Sequence, residues 1–201
     1  MIRNSCIKII LTTVLFVTSG VAKDNRYTDN SKSLFAVEAG YNSLGTEYTD
    51  RNISPVVTTQ STSSLMSLGL KIGAQTDTYR VFLSAKYFSD TDNKFDYLTT
   101  YGVEGQYLIH TFSKADLFIG LNGGIANAKL ILVQDGVSRT ISDPYFGAEA
   151  GINFHVSGSF DFDIAGRYMG IDALNVISKR EFTLSDMVGI YTSLTYKWKM
   201  D

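Results

Sequence analysis

One cysteine, two prolines, one tryptophan and two histidines occur in 201 residues. Each scarcity excludes something. The lone cysteine, Cys6, cannot close an intrachain disulfide, so the small disulfide-stapled scaffolds are excluded. Two prolines, Pro55 and Pro144, are too few to break up long runs of regular structure. Charged residues are 19%, below the usual quarter, which argues against a disordered acidic or basic tail. A formal charge of −2 excludes a strongly basic nucleic-acid binder, and no nucleic-acid partner is expected. No apolar run reaches the roughly 18 residues of a spanning helix. Phosphate loops, zinc clusters and dinucleotide fingerprints are also missing, so no cofactor is expected.

What is abundant is glycine and aromatic residues: 17 Gly, 12 Tyr and 12 Phe. That mixture favours strands and tight turns, and an all-β protein. Residues 1–22 read as a secretory signal peptide. Arg3 and Lys8 open it, Ile9 to Val17 is its apolar stretch, and Gly20-Val21-Ala22 supplies small residues before Lys23. Cys6 lies inside it, so the exported chain has no cysteine. Residues 23–201 are then one domain, with 23–32 as a short lead.

Period-two alternation runs almost throughout that domain. Eight runs show it: 34–41, 66–74, 79–87, 95–109, 116–125, 146–156, 160–168 and 188–198. Short connections at 75–78, 110–115 and 157–159 alternate with connections at 42–64, 89–94, 127–144 and 170–186, three of which are long. Pro55 falls in the first long one and Pro144 at the mouth of a strand. Such alternation describes antiparallel strands with one trimmed end and one elaborate end.

Two eight-stranded barrels share this pattern. A lipocalin-type barrel is apolar inside, and a membrane barrel is apolar outside. The more apolar face of all eight runs carries no Asp, Glu, Lys or Arg. The other face is rich in Gly, Ser, Ala and Asn with charges of both signs, as the crowded inside of a small barrel requires. Aromatic residues gather near strand ends: Tyr41, Tyr79, Tyr87, Phe95, Tyr97, Tyr107, Phe146, Phe154, Phe160, Tyr168, Tyr196 and Trp198. Two interfacial girdles would be built this way. The expected fold is therefore an eight-stranded antiparallel up-and-down transmembrane β-barrel.

On these features the chain resembles the small eight-stranded outer-membrane barrels of Gram-negative bacteria: the membrane domain of outer membrane protein A, outer membrane protein X and the opacity-type surface barrels. The resemblance implies the bacterial outer membrane as location, outer-membrane lipid as surroundings, and delivery by the outer-membrane assembly machinery. In that family the last strand carries an assembly signal of alternating apolar residues ending in an aromatic. Leu194, Tyr196 and Trp198 match it, although the chain continues through Lys199-Met200-Asp201.

The inward face would hold a polar network of Glu38, Lys71, Arg80, Lys86, Glu104, Glu149, His155, Asp161, Asp163 and Arg167. Centring the short turns puts Glu149 opposite Arg167, His155 opposite Asp161 and His110 opposite Asp116. Centring 89–94 on Asp92 puts Arg80 opposite Glu104. Glu38 and Lys71 fall on neighbouring strands. Paired charges could simply hold the core. They could also gate a narrow channel. The lipid A deacylases, which resemble this class by size, carry a nearby His and Ser on the lipid side; His155 and Ser157 have that spacing. His155 falls on the inward face, however, and the flanking motif is absent. Asp161, Asp163 and Asn153 could attract a cation, with no loop of suitable spacing to complete a site. The long connections carry Glu47, Asp50 and Arg51, then Asp135, Arg139 and Asp143, then Asp172, Lys179, Arg180 and Glu181. Their length suggests an extracellular partner. The expectation is a non-enzymatic outer-membrane barrel with a structural or surface-interaction role. The alternatives are a gated channel, a soluble lipocalin-like carrier of a lipophilic ligand, or a lipid-modifying enzyme.

Overall fold

The computed structural model describes residues 31–50, 57–90, 95–132, 137–171, 173–177 and 180–199. The signal segment 1–22 and most of the lead 23–32 lie outside the described residues. Nine strands follow in order: β1 (Lys32–Asp50), β2 (Val57–Gln75), β3 (Tyr79–Asp90), β4 (Phe95–Phe112), β5 (Ala115–Leu132), β6 (Val137–His155), β7 (Phe160–Ile171), β8 (Ala173–Ile177) and β9 (Arg180–Lys199). Neighbours in sequence pair antiparallel from β1 to β7, β7 pairs with β9, and β9 returns to β1 from Lys32↔Lys199 upward. The result is a closed eight-stranded barrel. The short β8 pairs with the far end of β9 alone, as an extra hairpin. Closure satisfies the backbone without leaving a sheet edge around the waist.

The connections at 76–78, 113–114 and 156–159 define a turn end, where Lys32 and Lys199 also meet. Three of the four regions expected to be connections are mostly strand. β1 and β2 remain paired through Asp50↔Val57, β5 and β6 through Leu132↔Val137, and β8 with β9 fills much of 170–186. The remaining links, 51–56, 91–94, 133–136, 172 and 178–179, lie outside the described residues. In 42–64 the reason is chemical: the segment is rich in Thr and Ser, and Thr pairs well in a strand that is wet on both faces. Pro144 correspondingly lies within β6 rather than at its mouth. It sits opposite Ile125, and the β7 ladder begins only at Tyr145, so on that side Pro144 is an edge position.

The apolar face points outward. Met66, Leu68, Leu70 and Ile72 on β2, and Leu117, Ile119, Leu121 and Ile125 on β5, are all exposed. No Asp, Glu, Lys or Arg interrupts this outward band among the described residues. About nine residues per strand, rising ~3.3 Å each and tilted, give a band of the ~25 Å height of a barrel's lipid-facing surface. A carrier of a lipophilic ligand needs the opposite orientation, with the apolar face inside, so the structure overturns that alternative.

Candidate functional site: the barrel interior

Alternation puts every second residue inside, and the interior fills in layers. At mid-height Arg167 on β7 reaches three carboxylates from three other strands. Its guanidinium donates to Glu38 on β1 at 2.5 and 3.0 Å and to Glu149 on β6 at 2.9 Å, and lies 3.4 Å from Glu104 on β4. Lys71 on β2 bridges Glu38 at 2.5 Å and Glu104 at 3.0 Å. Lys86 on β3 pairs with Glu104. The Tyr191 hydroxyl donates to Glu149 at 3.1 Å, and its ring lies under both Arg167 and Lys71 at 4.1 and 4.7 Å. Gln106 donates its amide to the other Glu149 oxygen at 2.6 Å. Three cations and three carboxylates thus form one belt, all buried. A buried charge is tolerated on these terms, with opposite charges and hydrogen bonds around it.

Below the belt, Arg80 reaches Asp163 across the barrel at 3.3 Å, and Asn153 donates to the same oxygen at 2.6 Å. The guanidinium of Arg80 also lies 5.1 Å from the Phe118 ring centre. Lower still, Lys197 pairs with Asp161 at 2.6 Å. His155 touches Asp161 at 3.2 Å and Asp116 at 3.1 Å, and His110 touches Asp116 at 2.9 Å.

Register places Glu149 opposite Arg167, His155 opposite Asp161 and His110 opposite Asp116. Arg80 is opposite Gln106, not Glu104, a slip of two residues. Phe88↔Leu98 centres that hairpin one residue later than Asp92, and one residue at the centre moves every partner by two. Glu38 is opposite Gly69, and Lys71 reaches it diagonally. Asp161 and Asp163 are engaged by lysine, arginine, histidine and asparagine side chains. Ser157 does not approach His155 as a nucleophile would. Its hydroxyl accepts the backbone N–H groups of Ser159 and Phe160 at 3.3 and 3.1 Å, capping the turn.

One layer has no counterpart in the polar network. Towards the loop end the interior is apolar: Leu44, Leu65, Phe88, Leu98, Ile141, Tyr145, Met169, Ile171, Leu184 and Met187 form a single buried cluster. It roofs the charged belt. The signal was present as apolar residues in phase with inward charges, Phe88 two residues past Lys86 and Leu44 in step with Glu38.

Outside, Tyr79 and Tyr107 rings lie 5.2 Å apart near the turn end, and Phe160, Tyr196 and Trp198 form a chain of rings at 5.1 and 5.5 Å. Phe154 is exposed on the same side. Tyr41, Tyr87 and Tyr168 are exposed towards the loop end, as are Tyr101 and Phe146. Tyr97 stands apart: it is half-buried, four residues beyond Tyr101, with the Lys129 ammonium 6.0 Å from its ring centre. Leu194, Tyr196 and Trp198 all face outward on β9.

No family model matches the chain, and no curated protein matches it. Solved structures do. Neisserial surface protein A is similar at 16% identity and a TM-score of 0.60, over 82% of this chain and 97% of that one. The outer membrane protein OprG from Pseudomonas aeruginosa is similar at 13% identity and a TM-score of 0.52, over 85% and 98%. The outer membrane protein AlkL, solved in lipid bilayers, is similar at 12% identity and a TM-score of 0.50, over 86% and 92%. The fold of this chain is that of the small outer-membrane β-barrels.

Proposed function

We propose that this protein is an outer-membrane barrel that does not conduct, is not an enzyme, and acts through the surface it presents at its loop end. The observation that carries the absence of conduction is the filled interior. A channel would have to pass the belt around Arg167 and then the apolar cluster around Phe88 and Met187. Opening it would separate several buried ion pairs and expose an apolar core, and removing even one partner of a buried pair costs about 3–5 kcal/mol. The loop end is built differently. β2 runs on past its apolar band as Thr58, Thr59, Gln60, Ser61 and Thr62, all exposed, and β6 does so at Thr140 and Ser142. Barrel walls that continue beyond the band lift a polar surface clear of the lipid. The partner surface is this rim, with the connections that cap 42–64, 127–144 and 170–186. In the same reading the two aromatic rings sit at the membrane interfaces, and Leu194, Tyr196 and Trp198 serve the assembly machinery.

Two measurements test this. In planar bilayers the purified barrel should give no discrete conductance steps, and neither should Glu104→Ala nor Arg167→Ala. Steps that change with these substitutions would establish a gated channel instead. Orientation can be read by single-cysteine labelling, because Cys6 is the sequence's only cysteine. Thr62→Cys should react with a membrane-impermeant thiol reagent on intact cells, and Thr111→Cys only after the outer membrane is opened. The reverse pattern would put the rim in the periplasm and end the surface role.

A further inference from the structure

Among the described residues, almost every buried carboxylate has a lysine or arginine beside it. Glu38 and Glu104 share Lys71, Glu149 has Arg167, Asp163 has Arg80, and Asp161 has Lys197. Asp116 differs. It is buried, and its ion-pair partners are two imidazoles: His110 Nδ1 on one oxygen at 2.9 Å and His155 Nε2 on the other at 3.1 Å. These are the only two histidines of the sequence.

Hydrogen-bond chemistry fixes what this arrangement needs. The second nitrogen of His110, Nε2, lies 2.7 Å from the Asp77 carbonyl, which can only accept. So Nε2 carries a hydrogen, and Nδ1 needs another to meet the carboxylate. His155 faces carboxylate oxygens on both nitrogens, Asp116 from Nε2 and Asp161 from Nδ1 at 3.2 Å. A neutral imidazole has one N–H and cannot satisfy both contacts. An imidazolium satisfies both.

The contacts also cross turns. Asp77 belongs to the β2–β3 turn, His110 and Asp116 flank the β4–β5 turn, and His155 and Asp161 flank the β6–β7 turn. Lys197 joins from β9. We propose that Asp116, His110 and His155 form a proton-operated clasp that ties the turn end together when both imidazoles are protonated and loosens it when they are not. Deprotonation leaves Asp116 buried without a cation, a costly state.

The sign follows from the groups that face each ring. His110 meets the Asp116 carboxylate and the Asp77 carbonyl, with the Asp77 side chain nearby. These acceptors, Asp116 first, raise its proton affinity above the ordinary histidine value, although the ring is largely exposed beyond the outward apolar band. His155 meets Asp116 and Asp161, with Lys197 behind the latter. A histidine whose folded value is raised stabilises fully below its unfolded value of about 6.5, and that stabilisation is lost as pH rises through the folded value. The turn end should therefore be tightest in acid and looser above neutrality.

The test is ring-proton NMR of the folded full barrel in detergent micelles between pH 5 and 9. In Asp116→Asn the His110 titration should move down, because the carboxylate that does most to raise its proton affinity is gone. A His110 titration that stays in place would overturn the clasp. Urea unfolding in lipid vesicles gives a second readout. The midpoint of the unsubstituted barrel should fall as pH rises through the histidine range, and the double variant His110→Gln, His155→Gln should lose most of that slope. An unchanged slope would also overturn it.

Discussion

Arg167 donates to carboxylates from β1 and β6, closes on a third from β4, and rests on the ring of Tyr191. Replacing it with methionine leaves Glu38, Glu104 and Glu149 with two lysines among them. Arg167→Met should cost about 3–5 kcal/mol in unfolding free energy, read by urea titration in vesicles. Glu149→Gln removes one charge and keeps a polar group for Gln106 and Tyr191, so it should cost less, about 1–3 kcal/mol. Equal losses would show that Arg167 is not the shared counter-ion. Which residues face inward was legible because the strand period is two. Which of them touch was legible across short turns, as for Glu149 and Arg167, and between the neighbouring strands of Glu38 and Lys71. The contact between Arg80 and Asp163 crosses the barrel between β3 and β7. No arithmetic on a single hairpin reaches it.

Strands that leave the lipid lose the alternation that reveals them. On β2, Thr58 to Thr62 are exposed on both faces, so nothing in their polarity marks a period of two. That is why residues 42–64 read as a connection while β1 and β2 stay paired to Asp50↔Val57. The apolar cluster inside the same end escaped for a related reason. Leu44, Leu65, Phe88 and Leu98 sit on the face that carries the charges further down each strand. A face that changes character along its length reads as mixed. The cluster should behave as an ordinary core. Phe88→Ala deletes a buried ring that packs in it, and should cost about 3–5 kcal/mol in the same unfolding assay. Tyr87→Ala, one residue away and facing outward, should cost clearly less. If the two cost the same, the loop end holds no packed core and the roof over the charged belt is lost.

Below its apolar roof the molecule is two surfaces wrapped in opposite senses, largely polar within and apolar without, and only a hydrocarbon surrounding makes that arrangement favourable. In water the exposed ring of Leu, Ile and Val side chains would drive aggregation. In a bilayer the same ring is the solvent-matched face, and on the function proposed above the aromatic rings at its two margins meet the interfaces. The decisive comparison is one substitution placed at two heights. Leu121 is 72% exposed in the middle of the β5 outward run. Thr62 is also exposed, on β2 beyond the band. Leu121→Arg brings a charge to mid-membrane and should cost about 2–4 kcal/mol of stability in vesicles. Thr62→Arg places the same charge in water and should stay within about 0.5 kcal/mol of the unsubstituted barrel. Both side chains point away from the interior, so packing cannot account for the difference. Depth in the bilayer can, and equal effects at the two positions would mean that the outward band does not face lipid.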